Sequence, residues 1–212
     1  MYIPSSFGVS DQQVLDSFIR RYAFATLVTS SPAAPIASHI PMTLRRTEER
    51  GSLIGHVARA NDHWRALDGR HESLAIFHGP HAYVSPTWYA TSPAVPTWNY
   101  AVVHVCGKPT ISTDPDFTRT ALADLVEEYE GSRDKPWRAA ALAPDFFDRL
   151  VGAIVAFEMP IERIEGTFKL GQNRSREDRL GMLAGLESEG TSDAHLLAAF
   201  IREHVEELRG GV

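Results

Sequence analysis

The chain has 212 residues, of which 43% are apolar and 23% charged, and a formal net charge of −6. That length buries a core, and the composition sits near the globular average, which excludes disordered and fibrous classes. The acidic balance argues against a generally basic nucleic-acid surface, no apolar run approaches the ~20 residues of a bilayer span, and a single cysteine, Cys106, leaves no internal disulfide. With "MYIPSSFGVSDQQ" showing no basic segment followed by an apolar stretch, the expectation is a cytoplasmic chain with no membrane association.

Taken in order, "SDQQVLDSFIRRY" spaces Val14, Leu15, Phe18, Ile19 and Tyr22 as an amphipathic helix behind Ser10 or Asp11 as N-cap. Strand-like runs follow: "FATLVTS", "PIASHIPMTL", "GSLIGHVA", "ESLAIFHGPHAYVS" and "TWNYAVVHVCGKPTIS". Most have no helix between them, so antiparallel pairing is expected. The exception, "ARANDHWRALDG", reads as one short helix with Asn61 as N-cap and Gly69 just past its end. "TDPDFTRTALADLVEEYEG" is a helix capped by Asp114 with Pro115 in its first turn, and "PDFFDRLVG" is a second. "AIVAFEMPIERIEGTFKL" returns to strand, and "DRLGMLAGLES" and "DAHLLAAFIREHVEELR" are two closing helices. The pattern predicts a small antiparallel barrel of six or so strands with helices outside it.

Four stretches are rich enough in polar and aromatic groups to carry chemistry. In "GHVARAND" a strand ending at His56 and Val57 runs through Ala58 and Arg59 to a helix start at Asn61, so amides, a helix dipole and a guanidinium converge as a phosphate site in outline. Taken alone, the same residues read more simply as an exposed structural turn. "FKLGQNRSREDR" offers Lys169 and Arg174 as charges, Gln172 and Asn173 as amides, and Gly171 for close backbone approach; its other reading is a polar connection. "SPTWY" and "PTWNYAVVHVCG" concentrate flat, polar-tipped side chains. His78 and His81, and His104 and Cys106, are incomplete metal sets, so no metal is expected, and no nucleophile-elbow, dinucleotide or nucleotide-loop motif names a catalytic residue.

In order, "MYIPSSF", "SHIPM", "GHVARAND", "FHGPHAYVSPTWY", "VPTWNYAVVHVCG" and "KLGQNRSREDRLG" resemble the signature series of the PaiB-type regulators, described as FMN-binding negative transcriptional regulators. The resemblance runs from Met1 to about Leu186, with one departure: the family's KLSQNR has Gly171 in place of the serine, which removes a hydroxyl. It implies an α+β, mainly β fold, the FMN-binding split antiparallel β-barrel with peripheral helices, over residues 1–186, with 187–212 as a C-terminal helical extension.

The resemblance further implies a homodimer that forms its FMN sites at the subunit interface. It lays Ser38, His39 and Ile40 along the flavin and His56, Val57, Ala58, Arg59 and Asn61 at its phosphate. Trp98, Asn99 and Tyr100 supply stacking, apolar cover and a directed hydrogen bond, but strand alternation puts Trp98 and Tyr100 on one face and Asn99 on the other, so only one set faces the ring. Lys169, Gln172 and Asn173 are placed near the flavin or at the mouth of its site. Negative regulation of transcription, with DNA as a partner, follows from the family name alone, since no helix-turn-helix or basic run is present. A flavin-dependent oxidoreductase on the same barrel is the alternative, with haem handling a distant third.

Overall fold

The computed structural model describes residues 1–32, 34–46 and 51–205. In chain order the elements are β1 (Gly8–Val9), α1 (Gln12–Arg21), β2 (Phe24–Thr29), β3 (Ile36–Arg45), β4 (Ser52–Ala58), a 3-10 turn (Asp62–Ala66), β5 (Ser73–Val84), a 3-10 turn (Pro86–Trp88), β6 (Thr97–Gly107) and β7 (Thr110–Ile111). Then come α2 (Pro115–Glu130), a 3-10 turn (Ala139–Ala141), α3 (Pro144–Gly152), β8 (Ile154–Pro160), β9 (Arg163–Lys169), α4 (Arg176–Ser188) and α5 (Ser192–His204). The described residues fall into two compact units, one from within Met1–Phe18, His78–Val103 and 165–205, the other from within Ile19–Phe77 and His104–Ile164.

In the first unit the strand order is β1-β9-β6-β5, with Gly8 opposite Thr167 and Val9 opposite Gly166. Asp11, rather than Ser10, caps α1: its carboxylate accepts from the amides of Gln13 and Val14 at 2.8 and 3.2 Å. The apolar stripe of α1 places Phe18 5.0 Å from Phe168, which meets Phe200 of α5 edge-on at 5.2 Å. Ser175 and Thr191 cap α4 and α5, whose buried residues include Met182, Leu183, Leu186, Leu197 and Ile201. The sequence reading extends the last helix to Arg209; residues 206–209 lie outside the described residues.

In the second unit the order is β5-β2-β3-β4-β8-β7, and the β2–β3, β2–β5, β3–β4, β4–β8 and β7–β8 ladders are antiparallel. Period-two burial runs along β3, where Ser38, Ile40, Met42 and Leu44 are buried. Gly55 sits opposite Phe157, whose ring lies where a side chain at 55 would project, so the glycine makes room for the ring. Asp114 caps α2 through the Asp116 amide at 2.9 Å, and Arg45 of β3 pairs with Asp124 of α2.

Four local expectations change. The run 97–112 divides into β6 and β7 at Gly107–Pro109, because Pro109 has no N–H for a ladder. The run 153–170 divides into β8 and β9 after Pro160 for the same reason. The helix expected in 58–69 is one 3-10 turn: Leu67 donates to the Trp64 carbonyl, an i to i+3 bond, and Gly69 leaves it at φ +74°. Strand β1 has no counterpart in the sequence reading; two residues are too few to show a period.

Candidate functional site

The turn after β4 is assembled from both backbone and side chains. Arg59 Nε donates to the Gly152 carbonyl at 2.7 Å, and its Nη2 donates to the Ile154 carbonyl at 2.9 Å. A guanidinium carries five N–H groups, so this clamp fixes the fork and leaves three for another acceptor. Asn61 caps the following 3-10 turn through the His63 amide at 3.1 Å and donates from Nδ2 to Ser38 Oγ at 3.0 Å. Along β4, Val57 is buried, Ala58 is exposed and His56 is half-buried; burial pushes the His56 imidazole below its ordinary value.

Beneath that turn runs a polar chain the sequence reading did not identify. His63 is buried, with Nδ1 2.8 Å from Ser38 Oγ and Nε2 2.9 Å from Thr29 Oγ1, and Thr29 Oγ1 lies 2.6 Å from Ser73 Oγ. Every heteroatom of the ring therefore has a hydroxyl partner, which offsets the cost of placing it inside. Desolvation lowers the His63 pKa, so the neutral ring is favoured. The signal available in the sequence was parity: Ser38 shares an inward face with Ile40, Met42 and Leu44, and a polar residue in such a row needs an internal partner. The chain joins Ser38 and Asn61 in one network, whereas Ile40 is buried with no part in it and His39 is on the opposite, exposed face, 3.1 Å from Thr26 Oγ1.

In the first unit, strand alternation separates the aromatic segment as expected. Asn99 is buried, and its Nδ2 lies 3.1 Å from Met182 Sδ. Trp98 is 56% exposed and Tyr100 half-buried on the other face. With His78, Gly79, His81, Ala101 and Val102 they line a shallow cavity of about 320 Å³. Trp98 packs 6.3 Å from both His81 and Tyr83, so the face is a patch of rings. The earlier cluster "SPTWY" has a different job: Trp88 fills the groove that Gly181 and Gly185 leave on α4, and Tyr89 lies under Arg174 at 4.4 Å.

The second cation-bearing turn closes on itself. Gln172 Oε1 accepts from the Leu170 amide at 2.7 Å while its Nε2 donates to the Phe168 carbonyl at 2.5 Å. Lys169 Nζ donates to Thr97 Oγ1 at 2.5 Å, and burial, with Arg174 nearby, lowers its pKa. Asn173 is exposed. Gly171 has φ +84°, a conformation glycine adopts freely and a serine would resist. Among the described residues no three His, Cys, Asp or Glu side chains group as a metal site, and no helix is long and apolar enough to cross a membrane.

Comparison with known proteins bears on this geometry. The family model described as "Putative FMN-binding domain" matches residues 1–163. The Bacillus subtilis "Protease synthase and sporulation protein PAI 2" is 32% identical, with 97% of this chain and 99% of that protein aligned. Among solved structures, the FAD and haem binding protein from Mycobacterium smegmatis superposes with a TM-score of 0.61 at 16% identity, over 82% of this chain and 78% of that one. A flavocytochrome from Azotobacter vinelandii gives 0.55 at 15%, over 76% and 69%. At such identities these two are likenesses of fold, the mainly antiparallel split barrel with outer helices. With a domain model matched across most of its length and a near full-length relative, the chain belongs to the PaiB-type family of FMN-binding-domain proteins.

Proposed function

We propose that the protein binds FMN, acts as a homodimer and serves as a negative regulator of transcription in the manner the PaiB-type family name implies. The observation that carries the flavin reading is the Arg59 fork: two main-chain carbonyls hold it while three N–H groups stay available, which is a preset cation for a phosphate. Asn61, held by Ser38 and His63, stands beside it. Arg59 and Asn61 hold the phosphate end, and His56, Val57 and Ala58 lead the backbone up to it. The exposed pair Trp98 and Tyr100 offers a stacking surface for a ring, while Asn99 serves the interior. Ser38, His39 and Ile40 flank the flavin along β3, and Lys169, Gln172 and Asn173 lie toward the mouth of the site. Bound flavin supplies reversible electron transfer; the chain's own residues bind and orient it.

The homodimer reading rests on the outer face of β2 and β3. Phe24 is 66% exposed, and across the ladder its neighbour Pro41 and the next row, Thr26 with His39, are not buried either. A second copy covers this face.

The test is a titration of the purified chain with FMN and with riboflavin, followed by absorbance and equilibrium dialysis. Wild type binds FMN more tightly than riboflavin, and Arg59→Ala removes that preference. Equal losses of both ligands would overturn the phosphate assignment. Sequence-specific DNA binding that survives physiological salt supports the regulatory role, whereas binding that disappears with salt refutes it.

A further inference from the structure

The segment between β7 and β8 forms a half-open cavity of about 610 Å³ between α2 and α3. Leu122 and Val126 of α2 face it, Phe147 and Leu150 of α3 line it too, and Trp137 and Ile154 complete its apolar walls. Its size is that of a small-molecule site rather than of a packing defect. Two of its large apolar side chains, Trp137 and Leu150, remain 46% and 44% exposed, so the walls are incompletely covered by the chain itself.

The charged groups at the rim are balanced within the protein. Arg119 donates to Asp148 at 2.9 Å and lies over the Phe147 ring at 5.8 Å. Glu130 pairs with Arg133 at 3.1 Å and accepts from the Trp137 amide at 3.0 Å. Glu127 and Arg138 add one charge of each sign. An ionic ligand therefore meets no excess of opposite charge, while an uncharged ring meets Trp137, Phe147 and aliphatic walls. We infer that this cavity is a second binding site, separate from the flavin site, for an uncharged, largely apolar organic molecule carrying an aromatic ring. It borders the turn after β4 only through Ala58 and uses none of the Arg59, Asn61 or Ser38 polar groups.

The experiment is isothermal titration of the full chain, with and without saturating FMN, against 2-naphthol, naphthalene-2-sulfonate and 2-naphthylmethylammonium. The neutral naphthol binds at one molecule per chain and at least tenfold more tightly than either ion, and FMN leaves its affinity unchanged. Ala123→Trp, which fills the cavity from an exposed position on α2, weakens naphthol at least tenfold while FMN affinity stays at the wild-type value. If that variant does not fold, Leu150→Asn on α3 is read the same way. The inference is overturned if either ion binds as well as naphthol or if a folded cavity variant binds naphthol normally. It is also overturned if FMN displaces naphthol, which makes the cavity part of the flavin site, or if naphthol binding weakens as protein concentration rises, which assigns the cavity to a second copy. Loss of FMN binding with naphthol binding intact refutes the flavin reading alone.

Discussion

The two cation-bearing turns, one after β4 and one after β9, have similar compositions and opposite economies of hydrogen bonds. At Arg59 the chain spends backbone carbonyls to hold a guanidinium and leaves donors over; at Lys169–Gln172 the side chains are spent on the chain, with both ends of the Gln172 amide returned to the backbone between Phe168 and Leu170. A ligand adds bonds at the first turn and must break bonds at the second. What separates a binding turn from a structural one is thus the inventory of unused donors, which residue type does not reveal.

The largest effect is expected where the contrast is sharpest. Arg59→Ala lowers FMN affinity about tenfold to a hundredfold, the worth of a charge-assisted bond, and leaves riboflavin nearly unchanged; a parallel fall for both ligands erases the distinction between the turns. Gln172→Ala strips partners from the Leu170 amide and the Phe168 carbonyl and costs about 2 kcal/mol of unfolding free energy in urea. Its FMN affinity falls less than that of Arg59→Ala; the reverse ranking would make the second turn, rather than the first, the stronger contact with the flavin. Gly171→Ser, which restores the residue of the family pattern, costs about 1 kcal/mol, because it forces a side chain onto φ +84° with its Cβ 3.1 Å from Met182 Cε. Unchanged stability would mean that the turn relaxes to another backbone conformation.

The smallest effect is a pH dependence. Burial lowers the folded-state pKa of His63 from 6.5, so the unfolded chain takes up a proton there before the native chain does. The stability of the neutral native ring is fully present above 6.5 and is lost as pH falls toward the lowered value. His56 adds in the same direction. His63→Gln is less stable than wild type at pH 7.5, and the gap narrows at pH 5.5; a gap that widens toward acid would show the ring to be charged in the native state.

Much of the fold was legible because it rests on periodicity. The alternation of β3, the capped helix behind Asp114 and the apolar stripe of α1 each follow from residue spacing. Boundaries set by single prolines, as at Pro109 and Pro160, were present in the sequence but outvoted by the apolar runs around them. The opposite faces of Trp98 and Asn99 were legible from strand parity, and the destination of Asn99, the thioether of Met182, was not, since 83 residues separate the two. The same holds for His63, whose partners Thr29 and Ser38 come from two strands, with Ser73 of a third bound to Thr29 in turn. Pairings at such separations depend on register, and register is a property of the assembled sheet.

Strand β5 carries one further consequence. Ser73, Ala75 and Phe77 are buried, His78 and Gly79 are not, and Pro80, Ala82 and Val84 are buried again, so the inward parity changes from odd to even at a single step. Residues 78 and 79 together make that step, and the inward side chains beyond it are the even-numbered ones only because the chain carries the extra residue. A strand of the same length that kept the phase of Phe77 would instead turn His81 and Tyr83 into the interior and Ala82 and Val84 out of it. The ring patch around Trp98 therefore owes its membership to one out-of-phase residue that the chain keeps, which sets which side chains of the strand's second half meet the surface.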